Sequence, residues 1–333
     1  MENKVKNSPL NIILVAVCSF VGVGFVTGAE IWFYFARFEI NMIFGLFVFA
    51  VLSFLLIYFS LGGKSEIKSE RYCKFKAFFA GLSELLIASA MIAGLMETSE
   101  LLFGKLWLIV FLCAVFCVIL ILFLGFKSFV FYNYFVAIFI IFVIICLFSF
   151  NNNFPLKIEQ NFNKKSAILS CIFGAIYIFM NIAEIRPILE ENKQNGSKIN
   201  RIFFSAALSL ILIFLIVIMS CFAITNKNLS RFSMPFLVLF AGHGGVIRWV
   251  FLIGLVLSMI STAEACLIGV KNKINFAKND ENFSKIIVIL SSLILGQIPF
   301  QFFIKIVYPF IAILNFSMFI FEIILLKKSR KSK

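Results

Sequence analysis

The stretch Val21-Gly22-Val23-Gly24-Phe25-Val26-Thr27-Gly28-Ala29-Glu30 lies in the middle of the first long apolar run of this 333-residue chain. A membrane helix should be most regular there. Three glycines within seven residues oppose that, because each costs about 1 kcal/mol relative to alanine in a helix. Backbone that leaves the helix inside a bilayer must bury its freed N–H and C=O groups in protein or line a cavity. A glycine-interrupted first helix therefore points to a binding site near the membrane midplane, as in transporters with discontinuous helices. The same glycines would also let a neighbouring helix approach closely. On these ten residues alone both readings stand.

Outward from this stretch the whole chain is apolar. Hydrophobic residues make up 62%, charged residues 14%, and the mean hydropathy is +1.05. Runs of about 18 or more apolar residues read as membrane spans, and they recur from end to end, so the lipid bilayer is the first partner implied. The formal charge of +14 would point to nucleic acid in a soluble domain. No basic, aromatic-interleaved domain stands outside the apolar runs, which excludes that class. The eight cysteines lie mostly within apolar runs and form no CxxC, as small apolar packing residues do. His243 is the single histidine, which argues against a histidine-rich metal site.

Ten spans are expected, near 10–36, 39–61, 75–102, 105–126, 128–150, 166–189, 199–224, 246–270, 284–301 and 304–326. Pro235 to Gly245 is apolar but too short to cross, which predicts a re-entrant or interfacial segment. With ten spans and both termini inside, lysine and arginine cluster on the cytoplasmic side at 64–76, 186–201, 271–285 and in the basic tail 327–333. The split is roughly 21 inside to 9 outside, in the direction of the positive-inside rule. The expected location is a bacterial-type plasma (inner) membrane with cytoplasmic termini. The run beginning at residue 10 is too long for a signal peptide and reads as a retained first helix.

Five spans per half give the halves opposite topology. Repeat 1 then covers about 10–150 and repeat 2 about 166–326, within one transmembrane domain over 1–333. Helix 1 corresponds to helix 6, and helix 6 carries Gly174, Tyr177, Asn181 and Glu184 before Pro187. Interrupted helices at matching positions in two halves point to a transporter site, so helices 1 and 6 are both expected to be discontinuous.

Several motifs resemble a known group. Gly22 to Glu30 followed by Trp32 and Phe35 is similar to the first helix of the YkvI-like membrane proteins. Met91-Ile92-Ala93-Gly94 with Glu97, then Gly125-Phe126-Lys127 and Asn133, resemble that family's third to fifth helices, and Tyr177 with Asn181 resembles its sixth. The resemblance implies membership of the amino acid–polyamine–organocation superfamily. It further implies the all-α LeuT-type fold of five plus five inverted helices, and secondary transport.

Candidate site residues follow. Around the breaks, Gly22, Val23, Gly24, Phe25, Thr27, Gly28 and Gly174, with Tyr177 and Asn181, are candidates for substrate binding. Helix ends there would offer N–H groups to a carboxylate and carbonyls to an ammonium group. Ser258, Ser261 and Thr262 lie at i, i+3 and i+4, so their hydroxyls share one helix face. The family resemblance implies that Ser261 and Thr262 bind sodium together with helix 1 carbonyls. Serine and threonine also pack at membrane helix interfaces and bond their own backbone. Glu30, Glu84, Glu184 and Glu264 fall within or near apolar spans, where charge is expensive, and are candidates for carrying a coupling proton. No phosphate-binding loop, HExxH motif or Ser-His-Asp set occurs, so no enzyme and no cofactor is expected beyond a coupling ion. The leading reading is a secondary active transporter of an amino acid or related amine, driven by sodium or protons. A non-transporting sensor with the same fold is the alternative; a channel or membrane enzyme lacks the motifs it would need. Substrate and oligomeric state are not legible.

Overall fold

The computed structural model describes residues 9–61, 70–124, 126–150, 162–191, 198–225, 228, 231–232, 234–241, 245–273 and 281–331. His243 lies outside them. Among the described residues the chain is helical. The first apolar run forms three pieces, α1 (Pro9–Phe20), α2 (Val23–Val26) and α3 (Ala29–Tyr34), and then passes through a 3-10 turn, Ala36–Asn41, into α4 (Met42–Leu61). Next come α5 (Glu70–Phe103), α6 (Trp107–Leu124), α7 (Phe126–Phe150), α8 (Lys164–Glu191) and α9 (Lys198–Thr225). They are followed by the short α10 (Pro235–Ala241), then α11 (Val246–Lys273), α12 (Glu281–Leu295), α13 (Phe300–Phe302) and α14 (Tyr308–Lys331). The long α5–α6 run is divided at Gly104–Leu106, where Gly104 has a φ of +49°, a conformation open to glycine without strain.

Six described stretches are long and apolar enough to cross a membrane: Ala29–Leu61, Lys74–Leu124, Lys164–Arg186, Ile199–Thr225, Arg248–Lys273 and Phe300–Glu322. Shorter apolar helices cover Pro9–Phe20, Ser128–Phe142 and Asn282–Leu295. The protein is a multi-pass membrane protein. Apolar side chains that would be untenable in water stand on its outside, among them Phe116 on α6, Phe131 and Phe135 on α7, and Leu290 and Ile294 on α12.

Inside, α4 packs on α8 and α9, α5 on α11 and α12, and α7 on α11; α14 lies against α8. The α4–α8 contact shows why helix 6 departs from expectation. That helix is continuous from Lys164 to Glu191 and does not break near Gly174. A Cβ at Gly174 would collide with the Gly45 backbone carbonyl, and one at Gly45 would come within 2.5 Å of the Ser170 carbonyl and hydroxyl. The Gly45 N–H donates to Ser170 Oγ at 3.1 Å. One glycine in a helix loses about 1 kcal/mol, which close contact between two backbones can offset. Gly174 is therefore a packing glycine.

Irregular backbone appears instead near the chain's end. α12 stops at Leu295, short of the expected 301, where Gly296, Gln297 and Ile298 form a turn ahead of Pro299. A π-helical turn follows at Phe303–Val307. Such turns free carbonyls from regular pairing and often mark functional sites.

Gly174→Leu is expected to lower the stability of the purified protein by about 1–3 kcal/mol, the usual penalty for overpacking, read as a fall in melting temperature. Gly104→Ala, whose Cβ would meet nothing within 4 Å but would sit at a φ of +49°, should cost about 1–2 kcal/mol through backbone strain alone.

Candidate functional site

The break in the first span is where the predicted residues converge. α1 ends at Phe20, and the last carbonyls of any helix have no partner within it. One of them, on Ser19, accepts a 2.8 Å hydrogen bond from Thr262 Oγ1 of α11. Gly22 makes the approach possible, because a Cβ there would stand 3.2 Å from that Oγ1 and 3.3 Å from Met91 Sδ. Ser261 turns the other way and donates to Asn133 Oδ1 of α7 at 2.6 Å. Ser258 bonds its own helix, to the Leu255 carbonyl at 2.8 Å. All three hydroxyl residues are fully buried. Thr262 thus ties α11 to α1, and Ser261 ties it to α7.

The second interruption, at Thr27–Gly28, is sealed by α10. The Thr27 carbonyl accepts from the Phe236 N–H at 2.8 Å. Gly28 has a φ of +78°, and a Cβ there would meet the Phe236 ring at 2.7 Å. Of the short apolar segment expected to be re-entrant or interfacial, the described helix α10 packs into the protein. Met234, Phe236, Leu237 and Phe240 are all inaccessible, and Phe240 stacks on Phe251 at 4.3 Å.

Just beyond the second interruption, Glu30 of α3 folds back toward α2. Its carboxylate occupies the space that a side chain at Gly24 would need, and it accepts from the Tyr177 hydroxyl at 3.2 Å. Glu30 is 3% exposed and Tyr177 is 0% exposed. Four rings surround that of Tyr177: Tyr34 and Phe35 at 5.1 Å, and Phe20 and Phe49 at 5.9 Å. Tyr34 reaches the π-turn, where its hydroxyl donates to the Ile304 carbonyl at 3.4 Å. Asn181 bonds the Tyr177 carbonyl at 2.8 Å and leaves Oδ1 without a partner among the described residues.

The four membrane carboxylates have different surroundings. Glu84 is ion-paired with Lys273 across α5 and α11. Glu184 is buried on α8 with Oε2 unpartnered among the described residues, and Glu264 is buried on α11 with both oxygens so. Glu30 alone sits on the broken segment. The structure thus brings Gly22, Gly24, Gly28, Glu30, Tyr177, Ser261 and Thr262 around one region and keeps Gly174 on the α4 interface. Phe25 packs on Phe20 at 5.8 Å, and Thr27 Oγ1 bonds the Gly24 carbonyl at 3.4 Å. Val23 lies in α2, and its side chain is outside the described residues. On α14, Asn315 donates to the Phe179 carbonyl at 2.9 Å, and Glu322 pairs with Lys76 at 2.7 Å.

Tyr34, Phe236, Tyr308 and the Ser19 carbonyl escape a reading of the sequence. Aromatic residues carry little signal among 46 phenylalanines, and a carbonyl carries none.

No protein-family model matches the chain, and no curated protein matches it. Among solved structures it is similar to Mhp1, a nucleobase-cation-symport-1 family transporter, in a closed conformation with bromovinylhydantoin bound. The TM-score is 0.66 at 14% identity, over 96% of this chain and 78% of that one. Identity that low speaks for the fold alone.

Gly24→Ala should displace Glu30 and destabilise the protein by about 1–3 kcal/mol. In a Glu30→Ala background the same substitution should cost markedly less. That coupling, of about 0.5–3 kcal/mol for residues in contact, is measured by melting the two single variants and the double variant.

Proposed function

We propose that this protein is a secondary active transporter of a small organic solute, an amino acid or related amine, coupled to sodium or protons by alternating access. The observation that carries this reading is the broken first span, with its Ser19 carbonyl bonded to the Thr262 hydroxyl of α11. Backbone is left open within a membrane only where it is buried in protein or meets a cavity, and in transporters such breaks form solute and ion sites. The likeness in fold to a transporter supports the same reading, as does the resemblance of the Gly22–Glu30 and Tyr177–Asn181 motifs to the YkvI-like group.

In this reading the ten expected spans form a LeuT-type five-plus-five arrangement, with 10–150 and 166–326 as inverted halves and both termini cytoplasmic. Sodium is held by Ser261 and Thr262 with α1 carbonyls, and Ser258 supports them from the preceding turn. Hydroxyl and carbonyl oxygens suit a hard cation. Asn133 Oδ1, which receives the Ser261 hydroxyl at 2.6 Å, is placed to supply a further oxygen. The solute occupies the region bounded by Gly22–Gly28, Tyr177 and Asn181. Glu30, in the first turn after the second interruption, is the carboxylate best placed to exchange a proton with that region. Glu184 and Glu264 are further candidates, whereas Glu84 is engaged by Lys273.

The test is uptake of labelled amino acids and amines into proteoliposomes under an inward sodium gradient, with potassium replacement as control. Uptake should exceed that in liposomes whose gradient has been collapsed by ionophore. Thr262→Val, which removes the hydroxyl but keeps the shape, should raise the sodium concentration for half-maximal uptake at least tenfold. Uptake that ignores sodium, follows an imposed proton gradient and disappears in Glu30→Gln would transfer the coupling to protons. No uptake of any solute under either gradient would remove the carrier reading.

A further inference from the structure

The region around Glu30 is rich in acceptors and poor in cations. Glu184 of α8 feels the charge of Glu30, and Tyr308 of α14, the helix packed against α8, feels that of both. Tyr177, Asn181 and Glu184 stand at i, i+4 and i+7 on α8 and so share one face. Among the described residues no lysine or arginine is ion-paired with Glu30 or Glu184, and Arg37 lies over the rings of Phe33, Phe38 and Phe173. Three polar atoms here have no hydrogen-bond partner among the described residues: Asn181 Oδ1, Glu184 Oε2 and Tyr308 Oη. Their residues are 1%, 2% and 0% exposed. Buried polar atoms left in this state call for a ligand or a proton.

The chemistry of the missing partner follows from what is present. Two of the three orphaned atoms are pure acceptors and the third is a hydroxyl, so the partner is a donor. A proton on one carboxyl adds a single donor, whereas an ammonium group brings three together with the positive charge that two carboxylates require. Tyr34, Phe35, Phe20 and Phe49 pack around Tyr177, and aromatic faces attract a desolvated cation.

The features that would hold a carboxylate are already occupied. Glu30 itself lies in the first turn of α3, Phe236 covers Gly28, and the Thr27 carbonyl is taken by the Phe236 N–H. A solute carboxylate here would meet two like charges and no cation.

We propose that Glu30 and Glu184, with Tyr177, Asn181 and Tyr308, form one recognition site for an organic ammonium ion, so that the solute is an amine lacking a carboxylate of its own. This rests on the carrier reading and narrows its substrate from amino acids to amines.

Three probes of matched length separate the possibilities: n-butylamine, butyrate and 4-aminobutyrate, added to the full-length protein in detergent and amine-free potassium phosphate. n-Butylammonium should raise the melting temperature saturably, and the anion and the zwitterion should not. Glu30→Gln and Glu184→Gln should each weaken the apparent affinity at least tenfold, and Glu100→Gln, at an exposed position, should leave it unchanged. Tyr177→Phe, which keeps the ring, should retain more affinity than Tyr177→Leu. The wild-type comparison needs no variant to fold. Equal or tighter binding of 4-aminobutyrate would overturn the proposal and leave the carrier reading intact, as would failure of all three probes to bind while amino-acid uptake persists. Binding of butylammonium with no flux of any solute would support the site and count against the carrier.

Discussion

A backbone that leaves the helix within a hydrocarbon layer has no water to turn to, and each group it frees must be met by protein. Around the first span this constraint organises much of the interior. The Ser19 carbonyl draws in Thr262 of α11, and the Thr27 carbonyl draws in the backbone of α10. Neither partner is near in sequence. α10 is a buried seven-residue helix, too short to span but able to seal an opening in the backbone. Where the last membrane helix deviates into a π-turn, the Ile304 carbonyl is met by Tyr34 from the far end of the broken span. The two irregular segments are thus tied to each other.

The glycines show how one residue type serves opposed ends. Gly24 and Gly28 make room within the break for the Glu30 carboxylate and for the Phe236 ring. Gly45 and Gly174 make room between two unbroken helices, whose backbones approach until no Cβ fits. The first pair permits a site, and the second joins α8 firmly to α4. Tyr177, Asn181 and Glu184 are consequently presented by a regular, well-packed helix, which fixes their spacing along it. Opposite them stands a segment held by a few hydrogen bonds.

Burial treats the acidic residues differently according to neighbours that lie far away in the chain. Glu84 meets Lys273 and is neutralised as a pair. Glu30 receives a tyrosine hydroxyl, while Glu184 and Glu264 keep oxygens that no described residue satisfies. Their shared presence in apolar runs could not distinguish these roles, because span membership is set by local composition and pairing by packing.

The membrane class was legible from composition alone, because 62% hydrophobic residues cannot be hidden in a water-soluble domain of this size. The break at Gly22–Gly28 was legible too, since three closely spaced glycines weaken a helix wherever it lies. The helical repeat set Ser258, Ser261 and Thr262 close together along α11, but the structure turns Ser261 to α7 and Thr262 to α1. Gly174 was misread as a second break, because its purpose lies in the backbone of Gly45, and helix packing has no local signature. That Phe236 answers the Thr27 carbonyl, Asn133 the Ser261 hydroxyl and Tyr34 the Ile304 carbonyl was decided by tertiary structure alone. Hydrogen-bond need is local and can be read along the chain, but the group that answers it comes from whichever helix the packing brings alongside.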